Sequence, residues 1–202
     1  MSNIPEASDT SFTFDSFASI INKDLNGVLG NFVSRVLKMT ASKIGNEVPA
    51  GGNLGELEEK LITTLQARVN DYFKYMKELE FRKAFAELRQ IWVEGNNYIS
   101  EAEPWVVIKE NVEKASQILR TCINLIRIFV ILSAPLMPTT SEKMLAKLGL
   151  KLSDMPSLKD FDIKRELTAL KAGTPFEIGD MLFERISEER IAELKEKYGA
   201  SK

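Results

Sequence analysis

Apolar side chains recur at steps of three and four residues along most of residues 15–149, which is the spacing of amphipathic helices. The first such stretch begins at Asp15, a residue type suited to an N-cap, and ends near Ile44, before the turn-forming sequence GNEVPAGGN. The other predicted helices cover residues 54–79, 81–99, a short one beginning at Pro104, 112–132 behind an Asn111 N-cap, and 139–149. The pattern therefore predicts an all-α fold.

The character of the sequence changes after Gly149. Residues 150–186 mix apolar and polar types without a helical period and are predicted to be extended or irregular, and Ser187 then opens a short charged helix. We therefore expect a bundle of five to six helices with a loosely structured C-terminal extension. The predicted units are a connecting segment at 1–14, the helix bundle at 15–149 and the extension at 150–202.

The composition excludes several kinds of active site. The 202 residues include no histidine and one cysteine, which removes the commonest general base, an ordinary set of zinc ligands and an internal disulfide. The sequence PAGGNLGE lacks the Lys-Ser/Thr pair and the preceding strand of a phosphate-binding P-loop, and the carboxylates lie on charged helix faces such as ELEEK. We predict no catalytic residue and no metal site in this chain.

The long apolar stretch CINLIRIFVILSAPLM is predicted to form a buried core helix and not a membrane span, because Asn124 and Arg127 interrupt it. The N-terminal residues lack the basic and apolar regions of a signal peptide. A lone thiol, that of Cys122, inside an apolar helix fits a reducing cytosol. These features predict a cytoplasmic protein with no membrane partner.

The charge balance limits how this chain could bind nucleic acid. It has 27 basic and 29 acidic residues and a net charge of −2, which does not support binding through many phosphate contacts. RNA recognition would therefore depend on a few well-placed side chains. Asn31 and Arg35 stand one helical turn apart, with Gly27 one turn earlier, and such a face could read the edge of a base. The solvated face of any amphipathic helix has the same pattern.

The two tryptophans have different surroundings in the sequence. Trp92 lies on the apolar face of its predicted helix and is expected in the core. Trp105 follows Pro104 at a helix start, where its indole could be a stacking platform for a nucleobase or could fill a gap between helices. The spacing of the residues leaves both interpretations open.

Three motifs in combination resemble one protein family. The sequence NKDLNGVLGNFVSRV is followed by NNYISEAEPWVVIK and then by CINLIRIFVILSAPLMPTTSEKML. Through the patterns LGN-x-x-x-R and N-x-Y-x-x-x-x-x-P-W, they are similar to the anticodon-binding helical domain of methionyl-tRNA synthetases. The opening SNIPEASDTSFTFDSF resembles the segment that joins this domain to the catalytic body, and PFEIGDMLFERISEE resembles the segment that closes its core. The resemblance covers nearly the whole chain.

The resemblance implies roles for five residues. In the family, the residues that correspond to Asn31 and Arg35 contact anticodon bases, above all the first-position cytosine of CAU. The tryptophan that corresponds to Trp105 stacks on the unstacked anticodon. Pro104 and Asn96 are implied to shape the pocket. Such recognition of splayed-out loop bases needs few groups and little net positive charge, which is compatible with the acidic balance of this chain.

One position departs from the family pattern. Many members carry an asparagine four residues before the asparagine of LGN, where this chain has Gly27. Asn26 is displaced by one position, about 100° around an α-helix. The resemblance therefore assigns no contact to either residue.

The resemblance also implies partners and cofactors outside this chain. The HIGH-like and KMSKS-like motifs that handle ATP, and the zinc-bearing insertion, belong to a Rossmann-type catalytic domain, and none occurs in this sequence. We expect the chain to be a C-terminal part of a methionine–tRNA ligase that forms no methionyl-adenylate and binds no cofactor by itself. ATP, methionine and any zinc would be bound by the catalytic domain. The expected partners are methionine tRNA, through its anticodon loop, and that catalytic domain, but not DNA.

Two other functions are compatible with a helical bundle. Synthetases for leucine, isoleucine, valine and cysteine end in similar bundles, so the specificity could differ, although the PW motif paired with LGN-x-x-x-R favours methionine. A helical protein-interaction module without an RNA role is the alternative from a different class, for which the mildly acidic balance is weak support.

Overall fold

The first long helical run has three parts in the computed structural model, which describes residues 11–198 of the chain. They are helix α1 (Phe14–Ile20), a π-helical segment (Ile21–Gly30) and helix α2 (Asn31–Lys43). The N-cap is Thr13, whose hydroxyl oxygen accepts a hydrogen bond from the backbone N–H of Ser16 at 3.1 Å, so the predicted cap at Asp15 is wrong. Asp15 lies in the first turn. Most of the predicted connecting segment at 1–14 lies outside the described residues.

The remaining helices begin and end close to their predicted bounds, except for the four-residue α8 (Ile163–Glu166), which lies in a stretch predicted to be extended or irregular. They are α3 (Glu56–Lys77), α4 (Phe81–Ala102), α5 (Pro104–Val107), α6 (Val112–Ser133), α7 (Pro138–Lys147), α8 (Ile163–Glu166) and α9 (Glu188–Tyr198). Asn111 caps α6 as predicted, by accepting a hydrogen bond from the backbone N–H of Lys114 at 2.9 Å. Between residues 11 and 198 one isolated β-bridge, Glu47 to Pro175, is the only departure from an all-α fold.

Helix α6 forms the centre of the bundle, as its apolar composition predicts. In the described part of the chain it is the one helix long and apolar enough to cross a membrane, but 94% of its most apolar window is buried inside the protein. Helices α2, α4, α5, α7 and α8 all contact it. Cys122 is buried in its middle, and burial raises the pKa of the thiol, so this cysteine packs and does not react. Trp92 is also buried, with its ring edge-on to that of Phe85 at 6.0 Å, which confirms its predicted place in the core.

The C-terminal extension is anchored to α6 by the two polar residues that interrupt the apolar sequence of that helix. The side-chain oxygen of Asn124 accepts a hydrogen bond from the backbone N–H of Leu170 at 2.8 Å. The guanidinium of Arg127 pairs with the carboxylate of Glu166 in α8. Five apolar residues of the extension are buried in the same core as the helices: Phe161, Ile163, Leu167, Leu170 and Phe176. The extension has little regular structure, as predicted, but it completes the core. The division of the chain at residues 14 and 149 stays a prediction.

Candidate nucleic-acid interface

Trp105 lies in a one-turn helix that the chain reaches through a sharp left-handed turn. Glu103, at the end of α4, has a φ of +42°, and Pro104 then opens α5, where its missing N–H costs nothing. Pro104 is buried and Trp105 is half-buried. The guanidinium carbon of Arg35 lies 4.4 Å from the centroid of the Trp105 ring, a cation–π arrangement. The fold therefore brings the PW and LGN-x-x-x-R motifs into direct contact.

Asn31 and Arg35 lie one turn apart on α2, Asn31 exposed and Arg35 half-buried. Among the described residues, the Asn31 carboxamide makes no hydrogen bond, and the Arg35 guanidinium pairs with no carboxylate. The carboxamide keeps both its donors and its acceptor, and the guanidinium keeps its fork of donors. Both groups are thus available to a ligand on the same side of α2 as the indole.

Asn96 connects two elements of the site. Its amide nitrogen donates to the backbone carbonyls of Val28, in the π-helical segment, at 3.3 Å and of Trp92, in α4, at 3.0 Å. Arg89, two turns earlier on α4, also reaches the π-helical segment, with its Nε 2.7 Å from a carboxylate oxygen of Asp24. Asn96 therefore holds the segment that leads into Asn31 at a set distance from α4. The side-chain amide protons of Asn96 already take part in these two hydrogen bonds.

The π-helical segment was not predicted, and it changes which residues face the site. Its backbone hydrogen bonds run to the fifth residue back, and the N–H of Asn31 bonds to the carbonyl of Asn26. Asn26 and Asn31 consequently line one groove, although an α-helical period separates them widely. Gly27 is exposed, and a Cβ at that position would lie 3.2 Å from the carbonyl oxygen of Asn22. The glycines at 27 and 30, residues of low helix preference, were the only local signal of this departure.

Tyr98, the third residue of the N-x-Y motif, has a structural partner. Its hydroxyl donates to the carboxylate of buried Glu58 at 2.6 Å, and the backbone N–H of Gly55 donates to the same carboxylate at 2.7 Å. Lys114 lies 3.4 Å from it. Burial opposes the charge of Glu58, but these hydrogen bonds outweigh it and hold the pKa of the carboxyl below its ordinary value. Burial raises the pKa of Tyr98, which stays protonated and donates. The network fastens α3 to α4.

The lowered pKa of Glu58 predicts how acid should affect stability. A carboxyl group with a pKa lower in the folded than in the unfolded state stabilises the fold above its unfolded value of about 4.5, and this contribution is lost as the pH falls through the folded pKa. Tyr98→Phe removes the strongest hydrogen bond to the carboxylate, so the variant should unfold at a higher pH than the parent chain. Circular dichroism between pH 7 and pH 2 measures both midpoints. Equal acid midpoints would contradict the role given to Tyr98.

Comparisons with known proteins match both halves of this site. A family model described as the anticodon-binding domain of methionyl-tRNA ligase matches residues 48–202, which include Asn96, Pro104 and Trp105. A model described as class I tRNA synthetases (M) matches residues 1–37, which include Asn31 and Arg35. The contact between Arg35 and Trp105 therefore joins the two matched regions.

Similar proteins and structures agree with the family models. The chain is 42% identical over 202 residues to the methionine–tRNA ligase of Ruegeria sp. (strain TM1040), and 44% identical over 200 residues to that of Caulobacter vibrioides, covering 100% and 98% of this chain. It spans 35% of the length of each relative. The apo methionyl-tRNA synthetase of Mycobacterium tuberculosis has a similar fold, with a TM-score of 0.78 and 23% identity over 92% of this chain and 37% of that one.

These matches cover the chain from end to end, and they agree with one another in family and in fold. The chain therefore belongs to the methionyl-tRNA ligase family and corresponds to the anticodon-binding domain of these enzymes.

Proposed function

We propose that this chain recognises the CAU anticodon of methionine tRNA by stacking and hydrogen bonding in a socket formed by Trp105, Arg35 and Asn31. The observation that carries the proposal is the guanidinium of Arg35 lying 4.4 Å from the centre of a half-buried indole, one helical turn from an unbonded carboxamide. Single-stranded loop bases are recognised by this combination of an aromatic or guanidinium plane with groups that bond the base edge. The family membership supports RNA as the ligand.

A stacked base can replace the guanidinium that covers the indole in this structure, because base stacking on an aromatic ring is at least as strong as the cation–π contact. A cation–π contact contributes about 0.5–1 kcal/mol at an exposed site and about 2 kcal/mol when desolvated, and the half-buried pair of Arg35 and Trp105 lies between these limits. A base stacked on an aromatic side chain contributes about 1–3 kcal/mol. On binding, Arg35 would therefore leave the face of the ring to an unpaired base and turn its N–H groups to the edge of that base.

The two polar groups suit a cytosine. Its pairing edge carries two acceptors, O2 and N3, beside the N4 amino donor. The guanidinium of Arg35 offers several donors in a rigid plane, and the carboxamide of Asn31 offers an acceptor for the amino group. Uracil, which has a donor at N3 and an acceptor at the position of the amino group, would leave one of these groups without a partner.

Pro104 and Asn96 contribute to the site by positioning its other groups. The buried Pro104 directs the chain out of the left-handed turn at Glu103, so that the next side chain meets α2. Asn96 holds the π-helical segment against α4 through the Val28 carbonyl. Both residues thus set the distance between the stacking ring and the edge-reading groups, which is the role that shaping the pocket requires.

The chain spans 35% of the length of its curated relatives. The activity of the whole enzyme is therefore part of the same proposal. We place adenylate formation, with ATP, methionine and any zinc, in the catalytic domain of a cytoplasmic methionine–tRNA ligase, and the chain alone is expected to be inactive. Between residues 11 and 198 no three Cys, Asp or Glu side chains form a metal-binding group, and the lack of a cofactor stays a prediction. The family match favours methionine over the leucine, isoleucine, valine and cysteine enzymes.

Changing the first anticodon base tests whether the base is read. A hairpin RNA with the loop triplet UAU should bind this chain more weakly than the CAU hairpin by about 1–3 kcal/mol, the range for one lost specific base contact. Fluorescence anisotropy with labelled hairpins measures both dissociation constants. A hairpin with one stem pair reversed is the control and should bind like the CAU parent. Equal affinity for CAU and UAU would exclude base reading, and no binding even at low salt would favour the protein-interaction module.

A further inference from the structure

The segment that leads into Asn31 has an unusual backbone and is held from two sides. Residues 21–30 are π-helical over ten residues, whereas most π-helices are a single turn inside an α-helix. On the side of α4, the side-chain amide of Asn96 donates to the carbonyl of Val28. On another side lies the C-terminal strap, which we define as residues 178–186. A backbone form this uncommon depends on such contacts with its surroundings.

The strap contacts both the first and the last turn of the π-helical segment. The side-chain oxygen of Asn22 accepts a hydrogen bond from the backbone N–H of Ile186 at 2.9 Å, and its amide nitrogen donates to the carbonyl of the same residue at 2.8 Å. The ring of Phe183 lies against Gly30, where a Cβ would be 3.2 Å from a ring carbon. The glycine thus allows the strap to lie directly beside the residue that precedes Asn31.

The strap is itself anchored to the end of α7. The ammonium group of Lys147 donates to the carbonyls of Ile178 and, at 2.7 Å, of Asp180. Gly179, between them, has a φ of +54°, and a Cβ there would lie 2.7 Å from the ammonium nitrogen. Leu182, in the middle of the strap, packs against the hydrophobic core. The strap is therefore a fixed surface against which the π-helical segment is held.

The spacing of the two contacts favours a π-helix over an α-helix. Asn22 and Gly30 are eight residues apart, which is about 12 Å along an α-helix. Their partners Ile186 and Phe183 are three residues apart, and an extended chain of that length spans at most about 11 Å. A π-helix has more residues in each turn and is therefore shorter for the same number of residues. The strap consequently matches the segment better in its π-helical form.

The two glycines of the segment act in the same direction. A Cβ at Gly27 would lie 3.2 Å from the carbonyl oxygen of Asn22, and a Cβ at Gly30 would lie 3.2 Å from that of Leu25, in each case five residues earlier. Glycine also has a much lower preference for the α-helix than alanine. The sequence of the segment thus weakens the α-helical alternative, and the strap adds contacts that fit the π form.

We propose that the C-terminal strap selects the π-helical form of residues 21–30 and thereby orients the Asn31 carboxamide toward the base that it reads, with Asn22 as a positioning residue. This inference rests on the proposed function, in which Asn31 accepts a hydrogen bond from the amino group of cytosine. Asn22 and the strap contact no base in this mechanism. They act through Asn31 alone.

The effect falls on Asn31 and not on Arg35. The backbone N–H of Asn31 bonds to the carbonyl of Asn26, five residues back, and an α-helix would offer the carbonyl of Gly27 instead. The direction in which the chain enters α2 at Asn31 would therefore change. Beyond that point, side chains buried in the core hold α2, so the guanidinium of Arg35 should keep its place beside Trp105.

Binding of the CAU and UAU hairpins to the full 202-residue chain tests the inference. Asn22→Ala frees the segment from Ile186 and should reduce the preference for CAU about fivefold, as expected for the loss of one specific base contact. Gly27→Ala should act in the same direction, because alanine favours an α-helix and this exposed position touches no part of the strap. In an Asn31→Ala background, neither substitution should change the preference further, because the carboxamide through which both act is missing.

Gln66→Ala is the matched control. The side-chain oxygen of Gln66 accepts a hydrogen bond from the backbone N–H of Ile163 at 3.1 Å, so it also ties the C-terminal extension to a helix, but at α3. This variant should keep the preference of the parent chain. Thermal unfolding followed by circular dichroism checks that each variant is folded, and Gly27→Ala decides the question if Asn22→Ala does not fold.

The pattern of results separates this inference from the proposed function. If the folded Asn22→Ala and Gly27→Ala chains keep the parent preference for CAU, the strap has only a structural role and the inference is wrong, whereas the proposed function stands. A similar loss in Gln66→Ala, or a further loss in the Asn31→Ala background, would also overturn the inference. A parent chain that binds both hairpins equally would remove the proposed function, and this inference with it.

Discussion

Trp105→Ala should weaken binding of the CAU hairpin by about 1–3 kcal/mol, roughly five- to 150-fold, because it removes the ring on which a base stacks. Trp105→Phe keeps an aromatic face and should recover part of the loss. The ring is half-buried, so the fold should survive the substitution. Fluorescence anisotropy measures the affinity, and thermal unfolding followed by circular dichroism checks that each variant is folded. Normal affinity of a folded Trp105→Ala chain would remove this residue from the site.

Arg35 variants separate base reading from simple attraction to phosphate. Arg35→Ala and Arg82→Ala each remove one positive charge, but Arg82 lies at the beginning of α4, about 30 Å along the helix from Trp105. We expect a large loss from the first and a small one from the second. Arg35→Lys keeps the charge but loses the planar fork of donors, so it should also lose preference for CAU over UAU. Equal losses from Arg35→Ala and Arg82→Ala would point to non-specific charge.

A larger effect, on stability, is expected at the ion pair that fastens the C-terminal extension to α6. Glu166→Ala should lower the free energy of unfolding by about 3–5 kcal/mol, because it leaves the buried guanidinium of Arg127 without its carboxylate. Arg165, which also contacts Glu166 at 3.0 Å, is half exposed and can turn to water. Urea unfolding monitored by circular dichroism gives the free energy for each variant.

The double variant Arg127→Met with Glu166→Leu tests the physical reason. Apolar side chains in place of both charges leave no buried unpaired ion, so the double variant should be more stable than Glu166→Ala alone. Glu59→Ala is the matched control, since the pair of Glu59 with Lys164 is exposed, and it should cost about 1 kcal/mol or less. A loss at Glu166 no larger than that at Glu59 would show that the buried pair does not hold the extension.

The sequence predicted best where a period and a cap act within one segment. Helices α3, α4 and α6 lie close to their predicted bounds, because their apolar stripes repeat over about twenty residues and local groups such as Asn111 end them. The N-cap of α1 was placed two residues late, since threonine and aspartate both suit that position and only the backbone conformation distinguishes them.

The sequence did not predict which residues contact each other when they lie far apart along the chain. Asn124 and Arg127 were recognised as interruptions of a core helix, but nothing local indicates that they bind Leu170 and Glu166, some forty residues later. Nor does the period of three and four residues indicate the π-helical segment, because that segment keeps its apolar side inward while it turns Asn26 toward Asn31.

The amino-acid sequence by itself determined the all-α class, the core helix and the two motifs that mark the family, because these depend on neighbouring residues and on residue type. The tertiary structure decided that the indole of Trp105 meets the guanidinium of Arg35, that Asn96 is already hydrogen-bonded, and that Phe183 of the C-terminal extension packs on the π-helical segment. The physical reason is that a contact between distant segments depends on the packing of every helix between them. Local side-chain patterns do not encode that packing.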